Sequence, residues 1–177
     1  TNQWFRETAL RVLADRRATT IAPALRKWIE TSRDQISLEA LWALHQLNHP
    51  LTPDLVSAAV KQRNEPVLTW MIRLMGDDTN RFTPATPMLL LGLASSQTNV
   101  EVRAQIAATA KRLPAPAALA VVAALSRRAK DAEDPRIPLL CWWALESKCD
   151  SHRDDILKLF GNSPVWFQPL VEKHLLS

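Results

Sequence analysis

Apolar residues recur along this chain at helical spacing almost from end to end, and proline punctuates the pattern rather than breaking it. Thr52-Pro53, Thr83-Pro84, Asp134-Pro135 and Ser163-Pro164 each place a capping residue before a proline at the first helical position. The missing N–H costs nothing there, and the fixed φ is already helical. Acidic Asp54, Glu65, Glu101 and Asp134 sit near these starts, where the helix dipole favours them. The pattern predicts helices over about 3–16, 20–31, 34–48, 53–63, 66–77, 84–96, 100–112, 115–129, 135–149 and 152–160, and a last one from about 164. Aligning alternate helices on their first apolar anchor gives Phe5, Ile36, Val67, Val102, Ile137 and Phe167, spaced 31, 31, 35, 35 and 30 residues apart. Four places on lie Ala9, Ala40, Met71, Ile106, Cys141 and Val171; eight places on lie Leu13, Leu44, Met75, Ala110, Leu145 and Leu175. Offsets of zero, four and eight form one stripe on a helix, so each copy is expected to bury this stripe. A fixed period of two helices is the signature of a stacked array, because one copy cannot bury its apolar face alone.

Composition agrees. Only 3 Gly and no Tyr occur in 177 residues, which argues against sheet-rich folds. Hydrophobic content of 47% with 23% charged residues is ordinary globular usage and excludes a disordered chain. The length suits one domain, 1–177. The longest unbroken apolar run, Ala117 to Leu125, is far short of the ~20 residues a membrane span needs. Thr1-Asn2-Gln3-Trp4 shows neither an initiator methionine nor a charged leader, so the chain reads as an internal piece of a longer protein. Cys141 and Cys149 fall in one helical pattern, ~12 Å apart along a continuous helix, too far for a disulfide.

The type of array follows from what is present and missing. Tetratricopeptide and ankyrin signatures are absent. The segment Thr98-Asn99-Val100-Glu101-Val102-Arg103-Ala104-Gln105-Ile106-Ala107-Ala108 resembles a short HEAT repeat, and the segment from Asn64-Glu65-Pro66-Val67 to Asp78 resembles one loosely. The expected fold is all-α: an α-α superhelix, a HEAT/ARM-like solenoid of about five helix pairs plus a terminal helix. First helices are expected to line its convex face and second helices its concave face.

Candidate chemistry is sparse. His45-Gln46-Leu47-Asn48-His49 places two histidines four apart, as in a zinc-protease helix, but Gln46 stands where the general base belongs. An amide cannot take a proton from water, and no third ligand stands out. Cys149 and His152, near Asp154 and Asp155, do not make a zinc set. No glycine-rich phosphate loop, nucleophile motif or Cys-x-x-Cys-His is present. Neither catalytic, metal nor cofactor-binding residues are expected in this segment, and Asp77-Asp78 and Asp154-Asp155 read as caps or solvated edges. The net charge of +4 is mild. Arg16-Arg17, Arg26-Lys27, Lys61 with Arg63, Lys111-Arg112 and Arg127-Arg128 with Lys130 could track phosphates, but each lies in the later half or last turn of an expected helix, where the dipole alone favours cations. The helix 84–97 carries no charge, so a basic stripe would be interrupted.

Seven tryptophans are the unusual feature. Trp28 and Trp70 are expected in or beside the core. Trp42 and Trp143 share the column six places after their anchors, nearly opposite the apolar stripe, with Arg11, Arg73, Ala108 and Lys173. Either they are exposed anchors for a partner, with Arg11 and Arg73 beside them, or they fill gaps between neighbouring first helices. Trp4 and Trp166 share another column at the two ends of the array, where contacts with other parts of a parent chain are expected.

Three strings carry a more specific resemblance: Trp4-Phe5-Arg6-Glu7-Thr8-Ala9-Leu10-Arg11-Val12-Leu13; Leu38-Glu39-Ala40-Leu41-Trp42-Ala43-Leu44-His45-Gln46-Leu47; and Asp134-Pro135-Arg136-Ile137-Pro138-Leu139-Leu140-Cys141-Trp142-Trp143-Ala144-Leu145-Glu146. Together they resemble the HEAT-repeat region of the large membrane-bound dehydrogenases and haem-binding proteins of planctomycete-type bacteria. The resemblance implies an exported parent joining a β-propeller, a helical repeat region and a c-type cytochrome domain. The haem motif would follow this segment and the propeller's cofactor site would precede it, so no active-site residue transfers. It implies a non-catalytic scaffold whose partners are flanking domains or another protein. The competing expectation is a nucleic-acid-binding domain similar to the HEAT-like DNA glycosylases; it fits less well, because those need aromatic residues on a basic concave groove and most tryptophans here fall on first helices.

Overall fold

The computed structural model describes residues 3–33, 35–77, 83 and 85–161. Its α-helices are α1 (Gln3–Asp15), α2 (Ala22–Thr31), α3 (Gln35–Gln46), α4 (Pro53–Lys61), α5 (Glu65–Asp77), α6 (Ala85–Ser96), α7 (Val100–Ala110), α8 (Ala115–Ser126), α9 (Ile137–Glu146) and α10 (Cys149–Gly161). Short 3-10 turns at Thr19–Ile21 and Ala129–Glu133 join them, and no strand occurs among the described residues. The helix expected from 164, with Trp166, Phe167, Val171, Lys173 and Leu175, lies outside the described residues, as do Pro84 and Asp78.

The chain divides within α5 into two compact units, residues 1–71 and 72–177. In the first, α1 packs on α3, and α2 packs on α3 and α4. In the second, α7 packs on α8 and α9, and α8 also contacts α6, α9 and α10. Alternate helices are therefore neighbours in both units, as a two-helix period requires.

The helix starts show where local chemistry departs from the simple pattern. Asn99 caps α7: its Oδ1 accepts from the N–H groups of Glu101 (2.9 Å) and Val102 (3.2 Å). Thr52 precedes Pro53 but makes no side-chain cap. Its hydroxyl instead accepts from Arg26 Nη1 at 3.3 Å. Asp134 Oδ1 accepts from Arg136 N and Ile137 N, both at 2.9 Å, and α9 begins at Ile137 rather than at 135. Burial alone would raise the Asp134 pKa, but these two backbone donors hold it below the usual carboxylate range. α9 stops at Glu146 and α10 starts at Cys149, so the two cysteines do not share one continuous helix. Both are free thiols, Cys141 buried and Cys149 exposed.

The scarcity of glycine is accommodated at the helix ends. Arg17, Asn48 and Arg63 adopt positive φ of 48°, 62° and 53° just beyond α1, α3 and α4. Each closes a Schellman pair. Arg63 N bonds Val60 O and Asn64 N bonds Ala59 O, both at 3.0 Å, and Arg17-Ala18 and Asn48-His49 repeat the pattern. A left-handed conformation strains any residue with a Cβ by roughly 1–2 kcal/mol. Arg63 is exposed. Arg63→Gly is therefore expected to stabilise the protein by about 0.5–1 kcal/mol after the larger unfolded-state entropy of glycine is counted. Thermal melts should show a rise of a few degrees, with no such rise for Arg63→Ala.

The apolar columns behave as expected in the later copies, in part in the second, where Ala40 and Leu44 are buried, and not in the first. Val67, Met71, Val102, Ile106, Ala110, Ile137, Cys141 and Leu145 are sealed, and Met75 nearly so. Phe5 and Ile36, however, are 66% and 49% exposed, Ala9 is exposed, and α1 buries none of its residues. In the column four places after each anchor the later copies carry Met71, Ile106 and Cys141, all buried, while the first two carry Ala9, exposed, and Ala40, buried.

Hydrogen bonds span about one repeat and tie neighbouring copies. Gln62 Nε2 donates to the carbonyls of Ile29 (3.4 Å) and Glu30 at the end of α2. Buried Asn64 donates to Ser37 Oγ (3.0 Å) and Ser32 O (3.3 Å). Thr109 Oγ1 donates to Ile72 O at 3.3 Å, and Lys148 Nζ to Lys111 O at 3.0 Å. Salt bridges join equivalent positions of adjacent copies. Arg136 Nη2 meets Glu101 Oε1 at 2.6 Å, and Arg112 Nε meets Asp77 Oδ1 at 3.3 Å. The bond from Arg136 holds the Glu101 carboxyl below its ordinary range.

Candidate functional site

The tryptophan column resolves into two different environments. Trp42, on α3, is half-buried and meets Trp70 of α5 edge-on, with ring centroids 5.3 Å apart and planes at 82°. That is the geometry of a side chain filling the gap between two first helices. Its Nε1 is buried without a hydrogen-bond partner. Trp143, on α9, is 43% exposed and presents a large aromatic face to solvent. Both arginines of the column are exposed. Arg73 lies 3.6 Å from Asp77, one turn ahead of it. Trp42 and Arg11 belong to the first unit, and Arg73 and Trp143 to the second.

The other aromatic expectations divide. Trp70 is half-buried, as a residue beside the core should be. Trp28, expected in or beside the core, is 44% exposed. Trp4 is 61% exposed and stacks edge-on against Phe5 at 5.1 Å. Phe5, Trp28 and Ile36 stand around the mouth of a cleft of about 350 Å³ between α1, α2 and α3. Ala9, Ala40 and Ala43 line it, and Arg6 and Glu39 form its charged lining. Of these, Phe5, Ala9, Ile36 and Ala40 belong to the apolar columns, which by themselves do not distinguish a buried position from the wall of a cleft.

The candidate metal positions are not brought together on one helix face. α3 ends at Gln46, and the left-handed Asn48 turns the chain before His49, so His45 and His49 do not sit one turn apart on a continuous helix. Among the described residues no three His, Cys, Asp or Glu side chains cluster as metal ligands. Cys149 Sγ lies 3.5 Å from Leu145 O, and His152 Nδ1 lies 2.8 Å from Ser151 Oγ at a kink within α10. Burial pushes the Cys149 thiol above its ordinary pKa, and Asp150 and Glu146 push it the same way. Burial also drives Cys141 strongly upward. Neither thiol is poised as a thiolate.

Several basic residues are engaged within the array. Arg26 reaches Thr52 Oγ1 and Pro50 O, both at 3.3 Å, and Arg128 reaches Ser95 O at 3.5 Å. Arg103 is buried: Nε and Nη2 grip Asp131 at 2.7 and 2.5 Å while Nη1 donates to Thr98 O at 2.6 Å. Nothing in the local pattern around Arg103 points to this pair, because Asp131 arrives 28 residues later from the 3-10 turn after α8. α6, as read, carries no charge. Among the described residues no helix is long and apolar enough to cross a membrane.

No family model matches the sequence, and neither a curated protein nor a solved structure matches the chain.

Proposed function

We propose that this chain is a non-catalytic helical-repeat scaffold and protein-interaction domain. Its helix pairs stack into a right-handed, HEAT-like superhelix that holds other domains or partners in register. The observation that carries the reading is exposed Trp143. A large aromatic ring left in solvent on a well-packed first helix fits a docking anchor, since such residues dominate binding hot spots. The one-period bonds at Arg136–Glu101, Arg112–Asp77 and Lys148–Lys111 support the stacking part, because they stiffen an array without supplying chemistry.

The parent proposed from the sequence resemblance is an exported, multidomain oxidoreductase of the dehydrogenase and cytochrome c type, with haem outside this segment. A reduced-minus-oxidised absorbance spectrum of the full-length protein tests that parent. A c-type haem band is expected, and its absence removes the redox setting. A DNA titration of the 177-residue chain tests the scaffold itself. Binding at low salt should be weak. Tight binding that falls by orders of magnitude between 50 and 200 mM salt would replace the scaffold reading with a phosphate-tracking one. The internal bonds of Arg26, Arg103 and Arg128 speak against that outcome.

A further inference from the structure

We draw no further inference here: the strongest candidate, the apolar cleft of about 350 Å³ between α1, α2 and α3, is an unpartnered face, and nothing in the structure shows what covers it.

Discussion

Replacing Arg103 by alanine is expected to destabilise the protein by about 3–5 kcal/mol, the usual consequence of stripping the partner from a buried charge. Arg103 and Asp131 are 6% and 2% exposed, and the guanidinium grips both carboxylate oxygens at 2.7 and 2.5 Å. Removing the guanidinium leaves a carboxylate in a site where water cannot solvate it. It also frees the carbonyl of Thr98, which accepts from Nη1 at 2.6 Å. The loss would be felt at both ends of one copy, since Thr98 precedes α7 and Asp131 follows α8. Asp131→Ala is expected to cost a similar amount for the mirror-image reason. The double replacement Arg103→Met with Asp131→Leu removes both charges together and should lie much closer to wild type. Urea unfolding of the four proteins checks this. Additive losses would show that each residue acts through other contacts rather than through the pair.

The second large effect is steric. Gly76→Ala should lower stability by about 1–2 kcal/mol, although alanine is the better helix former by roughly 1 kcal/mol in an exposed helix. A Cβ at Gly76 would stand 2.6 Å from Thr109 Cγ2 and 3.0 Å from Arg112 Nε. Arg112 can swing aside. Thr109 cannot easily do so, because it is fully buried and its hydroxyl is anchored on Ile72 O at 3.3 Å. The end of α5 therefore approaches α7 closely, and glycine permits the approach. Thr109→Ser keeps the hydroxyl and deletes the clashing methyl. Adding it to Gly76→Ala should recover most of the loss. If Gly76→Ala melts at or above the wild-type temperature, the approach is looser than described.

Much of the fold was legible because helix boundaries here are set locally. Asn99 caps, Pro53 opens a helix at its first position, and the apolar period runs unbroken between them. The columns anchored on Val67, Val102 and Ile137 were legible for the same reason. What escaped depends on volume and on distant partners. Alanine counts as apolar in a column whether or not it fills the space, and exposure of the first two anchors, Phe5 and Ile36, was not foreseen. An arginine one place after its anchor reads as solvated until Asp131 arrives to bury it. The break before Cys149 also escaped, because Ser147 and Lys148 fit a continuing helix as well as a turn. At the candidate site, Trp42 and Trp143 were indistinguishable by position. They separate only because Trp70 stands beside the first ring.

Cross-linking mass spectrometry on the full-length protein, wild type beside Trp143→Ala, tests the docking role most directly. The account predicts cross-links from lysines near Trp143, Lys148 above all, to a flanking domain or a bound protein, and their loss in the variant while its melting temperature is retained. Cross-links that persist unchanged in Trp143→Ala, or none reaching beyond this segment in wild type, would contradict the claim that this array serves as a docking scaffold through its exposed tryptophan.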